Sequence, residues 1–253
     1  MLVWEIRSVV SFDAVVEDYA SGRPDYPDAV YDALVPLDSG LVVEGGCGTG
    51  LATRALVARG ARLVALDIGP RMVQHTVAHA PALFGAAVAD GAAMPFREAS
   101  VDLLCFAQSW HWLDERRRIA EAARVLAPGG RWAAWWSHAG VDDEPWFQRY
   151  LDLVEGVTPA FVRTHRDIDW GRPVHDSGLF ARPERISVPW QRRVSIDHWI
   201  AEERSKSYVS ALPATARQRL LVDIEALLRD ANPSGALQVP YETWLWIARK
   251  QGR

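Results

Sequence analysis

Glu44-Gly45-Gly46-Cys47-Gly48-Thr49-Gly50 follows the apolar run Leu41-Val42-Val43 and precedes Leu51-Ala52-Thr53-Arg54-Ala55-Leu56-Val57, which has helical character. A buried strand therefore runs into a glycine turn and on into a helix. Glycines at 46, 48 and 50 permit a sharp turn and let a ligand approach bare backbone. Glu44, at the strand end, suits a cationic or hydroxylated partner better than a phosphate. A dinucleotide fingerprint needs a third glycine for helix–strand packing, and counting from Gly46 that position is Leu51. The Gly-Lys-Ser/Thr ending of a Walker loop is absent. A nicotinamide-dependent oxidoreductase is thus disfavoured.

The segments that follow repeat the pattern. Arg62-Leu63-Val64-Ala65-Leu66-Asp67 reads as a second buried strand ending in an acid, with Pro70 placed for the first turn of the next helix. Ligands of doubly wound sheets bind beyond the carboxyl ends of the strands, where the Asp67 carboxylate can accept from ribose hydroxyls. A third strand is expected at Ala86-Ala87-Val88-Ala89, running into Asp90-Gly91-Ala92-Ala93-Met94-Pro95-Phe96. A fourth is expected over 101–107, leading to Gln108-Ser109-Trp110-His111-Trp112. A helix over 114–126 is expected to close at Leu126-Ala127-Pro128-Gly129-Gly130. A fifth strand follows over 131–136. Strands alternating with helices predict an α/β fold, a doubly wound and mostly parallel sheet.

The motif acid-x-Gly-x-Gly-x-Gly at 44–50 resembles the first motif of class I S-adenosylmethionine (SAM)-dependent methyltransferases. The strand order from about 41 to 137 is similar to that family's core. Phe12, Tyr19, Arg23-Pro24 and Tyr26-Pro27 resemble the opening of the trans-aconitate methyltransferase-like (type 11) small-molecule group, and 107–112 fits the same group. The resemblance implies a seven-stranded sheet, SAM as cofactor and a small-molecule methyl acceptor. It implies cofactor contacts at Glu44, Gly46, Gly48 and Gln108, with Asp67 on the ribose. It places Ile68 and Met72 beside the adenine, and Asp90, with Gly91 and Ala92, at the adenine amino group. Tyr19 and Arg23 would sit at the methionine carboxylate, where a guanidinium fork is apt. Core packing for Ile68 and Met72, and a surface position for Arg23 and Tyr19, are the competing readings. His111 follows the fourth strand, where this family puts substrate-facing residues. It is the candidate catalytic base, or else it packs or hydrogen-bonds between Trp110 and Trp112.

Composition narrows the function classes. The 253 residues suit one domain of ordinary size, and a net charge of -4 gives no basic footprint for nucleic acid. Arg116-Arg117-Arg118 reads as a solvated helix face. No apolar run nears the roughly 20 residues that span a bilayer. The first residues lack a signal-peptide pattern, and Cys47 and Cys105 read as reduced core thiols, so a cytoplasmic protein is expected. His75 and His79 are four apart on a helix, but Thr76 stands where a zincin has Glu, so no metal is expected.

The second half raises the substrate question. Helices are expected over 142–154, 195–209 and 213–229, and strands over 185–190 and 238–250. Residues 185–190 and 243–248 are expected to pair as the antiparallel end of the sheet, with Pro189 suiting an edge. The whole chain is expected as one methyltransferase domain. Residues 1–35 would form an N-terminal lid, 36–137 the cofactor core, and 138–253 the substrate cap helices and terminal strands. Among 12 tryptophans, Trp110 and Trp146 are candidates for substrate binding or for packing, whereas Trp132, Trp244 and Trp246 sit inside strands. An aromatic pocket suggests a hydrophobic or aromatic acceptor, of the kind found in secondary metabolism. The subgroup resemblance points instead to a small carboxylic acid. A non-catalytic cofactor-binding module remains the alternative outside enzymes. A monomer or a homodimer fits the sequence equally.

Overall fold

The computed structural model describes residues 24–36, 40–140, 144–158, 161 and 167–252. Its centre is a seven-stranded sheet in the order β3-β2-β1-β4-β5-β7-β6. The strands are β1 (Leu41–Gly45), β2 (Arg62–Asp67), β3 (Gly85–Val88), β4 (Val101–Ala107), β5 (Leu126–Ala139), β6 (Glu184–Ser195) and β7 (Ala236–Arg249). β1 pairs in parallel with β2 and β4, β2 with β3, and β4 with β5. At the other end Lys250 N–H donates to Gly130 O and Gly140 N–H to Pro240 O, both at 2.8 Å. One strand advances as the other recedes, so β7 runs antiparallel to β5. β6, which contains Pro189, forms the edge, the place in a sheet where proline is tolerated.

Alternation explains why the central strands are apolar throughout. Val42, Leu63, Leu103 and Cys105 point to one face of the sheet, and Val43, Leu66, Leu104 and Phe106 to the other. Helices α1 (Asp28–Asp32) and α2 (Leu51–Ala58) supply Val30, Tyr31, Ala52 and Leu56 to the first cluster, and Leu34 joins them from the turn after α1. α3 (Pro70–His79) opens with Pro70 in its first turn, where the missing N–H costs nothing.

The chain divides into two compact units. One contains Asp25–Ser137, Asp169–Val188 and Thr243–Arg253; the other contains His138–Ile168 and Pro189–Glu242. The second unit has its own core of Trp146, Phe147, Tyr150, Trp199, Leu220, Ile224 and Val239. It carries α5 (Pro145–Val157), α7 (Ile196–Ser205), α8 (Ser207–Ser210) and α9 (Ala214–Ala231). The short α4 (Arg118–Val125) and α6 (Gly171–Asp176) belong to the first.

Several boundaries differ from expectation for local reasons. The helix expected from 114 starts only at Arg118, because the Asp114 carboxylate accepts from Arg116 N–H at 2.9 Å and holds a turn there. It ends at Val125, and 126–130 do not close it. Leu126 already pairs with Val101, and β5 continues through an irregularity at Gly129, φ 74°. The helix expected over 195–209 breaks at Lys206, whose backbone is extended. Arg118 is not on a solvated face: it is 5% exposed. Residues 141–143, where the α5 helix was expected to begin, and most of the expected N-terminal lid lie outside the described residues.

Candidate active site

The parallel strands β3, β2, β1 and β4 end side by side, Glu44 level with Ala65 and Cys105, and Asp67 level with Val88. The strand order changes direction between β1 and β4, so this edge is the crevice where doubly wound sheets take ligands. The sequence-predicted residues Glu44, Gly46, Gly48, Asp67, Asp90 and Gln108 all sit at strand ends here or in the loops that follow.

The glycine turn is held from beneath. Gly46, Gly48 and Gly50 have φ of 70°, 54° and 82°, a region that L side chains rarely adopt. A methyl group on Gly46 would lie 2.5 Å from Ser109 Cβ, so the turn and the loop after β4 touch through bare backbone. Ser109 Oγ donates to Gly45 O at 2.6 Å. Gly48 N–H donates to Asp67 Oδ2 at 2.9 Å and Gly69 N–H to Asp67 Oδ1 at 2.8 Å. Main-chain donors thus fix both Asp67 oxygens.

Glu44 is 1% exposed, and its Oε2 accepts from Thr53 Oγ1 at 2.5 Å. The hydroxylated partner expected for this acid is therefore a threonine of the same fold. Burial pushes the Glu44 carboxyl up to about 7; the Thr53 bond opposes the shift and the nearby Asp67 charge adds to it. Burial likewise pushes the Cys47 and Cys105 thiols up, and both are free.

Ile68 stands exposed, at 68%, next to Asp67, whereas Met72 is buried on α3. Asp90 accepts Ala92 N–H at 2.8 Å through Oδ1 and Arg117 at 3.1 Å through Oδ2. A methyl group on Gly91 would meet Leu113 Cδ2 at 2.7 Å. Gln108 has φ 52°, unusual for a residue with a side chain, and its N–H is tied to Trp135 O at 2.9 Å. Tyr19 and Arg23 lie outside the described residues.

His111 sits in a 3-10 turn, Trp110–Trp112, directly after β4. Trp136 Nε1–H donates to its Nδ1 at 3.1 Å. Trp136 in turn stacks on Trp170, with ring centroids 4.8 Å apart and planes at 14°. Trp110 is fully buried between Phe106 and Trp132, with Arg118 over its ring. Trp146 belongs to the core of the other unit, against Phe147. The structure thus gives each tryptophan packing partners within its own unit. Four contributors were not read from the sequence: Thr53, Ser109, Arg117 and Trp170. Of these only Ser109 carried a local signal, its place immediately beyond a strand end.

Among the described residues, no group of three or more His, Cys, Asp or Glu could hold a metal ion, and no helix is long and apolar enough to cross a membrane. His75 and His79 stack with ring centroids 4.0 Å apart, each with Nδ1 at a backbone carbonyl.

Comparison with known proteins agrees with this geometry. The family model of a methyltransferase domain matches residues 43–134. An uncharacterized methyltransferase of Mycobacterium bovis is 35% identical over 245 residues, 92% of this chain and 93% of that protein. A solved candidate type II methyltransferase from Anaeromyxobacter dehalogenans superposes with a TM-score of 0.66 at 24% identity, covering 90% of this chain and 97% of the other. Phosphoethanolamine N-methyltransferase 2 of Haemonchus contortus, solved with SAM, gives 0.56 at 16% identity over 97% and 61% of the two chains. These two structures share the fold. With the near full-length mycobacterial relative, the glycine turn and the strand-end acids, they lead to one conclusion: this chain belongs to the class I SAM-dependent methyltransferases.

Proposed function

We propose that this methyltransferase binds SAM along the ends of β1 to β4 and passes its methyl group to a small-molecule acceptor. The observation that carries the reading is the Asp67 carboxylate, which main-chain donors fix beside three glycines of positive φ. Bare backbone at Gly46 lets Ser109 pack against the turn, and a carboxylate at the place of Asp67 suits the ribose hydroxyls of the ligand. Exposed Ile68 offers an apolar surface to one adenine face, with Met72 behind. Asp90, Gly91 and Ala92 form the adenine edge, and Gln108 closes the β4 side. Tyr19 and Arg23 are assigned to the methionine carboxylate. When bound, the sulfonium supplies an electrophilic methyl group. The protein's share is to hold the acceptor in line in a water-poor setting.

An acceptor of aromatic or hydrophobic character is supported by the indole-rich surroundings of His111. A second reading, a small carboxylic acid, is favoured by the Trp136–His111 bond, which occupies an imidazole lone pair. A carboxylate nucleophile arrives ionised and needs no base. The net charge of -4 supports neither nucleic acid nor an anionic surface as substrate. Two buried thiols support a reducing, cytoplasmic setting.

Calorimetric titration with SAM and S-adenosylhomocysteine, with NADH as control, tests the cofactor. Micromolar binding of both sulfur ligands and none of NADH is expected. Silence from both would overturn the assignment. A methyl-transfer screen of aromatic and carboxylate compounds then separates the two acceptor classes.

A further inference from the structure

Arg117, Glu121 and Arg124 are spaced four and three residues apart, the intervals that line one face of a helix. All three reach the same segment, residues 90–96, which follows β3. Arg124 donates through Nη1 to Phe96 O at 2.8 Å and through Nη2 to Met94 O at 3.1 Å. Glu121 Oε1 accepts Met94 N–H at 2.6 Å and pairs with Arg124. These two residues hold main chain. Arg117 takes a side chain instead: its Nη2–H donates to Asp90 Oδ2 at 3.1 Å, with Asp114 Oδ2 3.8 Å from its Nε. Leu113 packs over the neighbouring Gly91, where a methyl group would come within 2.7 Å of Leu113 Cδ2. The start of α4 and the loop before it are thus fitted to the segment that carries Asp90.

Asp90 is fixed at both oxygens, Oδ1 by Ala92 N–H at 2.8 Å and Oδ2 by Arg117. The two bonds use two of the roughly four lone-pair sites of a carboxylate, and 28% of the side chain stays exposed. The Arg117 side chain is 54% exposed, and such an open pair contributes little to folding. Its effect is on the direction of the carboxylate. We propose that Arg117 is a positioning residue for the cofactor: it holds the Asp90 carboxylate in the orientation that accepts the adenine amino group, while Glu121 and Arg124 hold the backbone on which Asp90 stands. The proposal deepens, and rests on, the reading that SAM lies along these strand ends. Arg117 acts through Asp90 and not by touching the ligand.

A double-mutant cycle tests this, with S-adenosylhomocysteine affinity read by calorimetry in wild type, Arg117→Met, Asp90→Ala and the double variant, each checked for folding by thermal unfolding. Arg117→Met should weaken binding by about threefold to fivefold when Asp90 is present, the scale of an exposed ion pair, and should change nothing further in the Asp90→Ala background. An equal loss in both backgrounds would mean that Arg117 touches the ligand or only supports the fold, and would overturn the proposal. Tighter binding by Arg117→Met would make Arg117 a competitor for the carboxylate and would overturn it too. Should Asp90→Ala not fold, Arg117→Lys decides: the retained cation should keep affinity near wild type where Arg117→Met loses it, and equal losses would sink the role. Wild-type protein that binds no S-adenosylhomocysteine would overturn the cofactor reading and this role with it. Wild-type binding with no coupling between the two residues would overturn the Arg117 role alone.

Discussion

Asp67 ties two loops together through one carboxylate, receiving Gly48 N–H on one oxygen and Gly69 N–H on the other. Its replacement therefore acts on ligand and loop together. Asp67→Asn should weaken S-adenosylhomocysteine binding by about tenfold to a hundredfold, the worth of a hydrogen bond to a charged group, and should also lower the melting temperature, because one loop N–H then faces an amide NH2. Calorimetry beside thermal unfolding checks this, and unchanged affinity in the folded variant would remove Asp67 from the site. Glu44 makes the opposite kind of prediction. The folded protein holds the Glu44 proton more tightly than the unfolded chain, with a carboxyl near 7 in place of the ordinary 4.5. This group therefore does not diminish stability below about pH 4.5, and diminishes it increasingly as pH rises toward 7. Urea unfolding of Glu44→Gln against wild type should show a difference that grows in the variant's favour by up to about 3 kcal/mol between pH 5 and pH 8. A flat difference would contradict the shift. Glu44, Asp67 and Asp90 were legible in the sequence because each ends an apolar run. Their partners were less so: Thr53 and Arg117 reach Glu44 and Asp90 only once helices have folded back on the sheet.

At the scale of elements, the glycine turn and the start of α2 are one object. Gly50 is the residue before the helix, with φ 82°, and a methyl group there would lie 2.9 Å from Thr76 Oγ1 on α3. Gly50→Ala should cost about 1–2 kcal/mol from the left-handed backbone alone, with added crowding, and lower the melting temperature accordingly. An unchanged transition would mean the turn relaxes freely. Two strands were read to their limits: β2 and β4 match expectation residue for residue. Errors fell where side chains compete with main chain. Asp114 caps its own turn and delays α4, and Lys206 is pulled inward by Glu203 and interrupts a helix that propensity would have continued. The expected solvated arginine face failed at Arg118 for a related reason. Helical periodicity places 118 near 122 and 125, both buried, and the aromatic rings of Trp110 and Trp170 accept the cation there.

For the molecule as a whole, the first five strands follow from a sequence rhythm of strand and helix that is plain up to residue 137. Beyond it the signal weakens, because helices of the second unit bury polar groups against one another. Tyr150 donates to Glu203 at 2.7 Å, and Lys206 reaches both. Burial works against the Lys206 charge, yet Glu203 outweighs it and holds the ammonium above its ordinary range. Lys206→Met should cost roughly 3–5 kcal/mol by leaving the Glu203 charge buried alone. Adding Glu203→Gln should recover much of that loss. Hydrogen exchange should rise first over 145–157 and 196–231 in the single variant, and uniform acceleration across the chain would deny the second unit a stability of its own. The stacked indoles of Trp136 and Trp170 have an optical corollary. Two parallel chromophores at 4.8 Å share their electronic excitation. The far-ultraviolet circular dichroism of this protein should therefore carry an exciton contribution that changes when Trp170 is replaced and persists in part, because Trp136–Trp246 and Trp110–Trp132 couple as well.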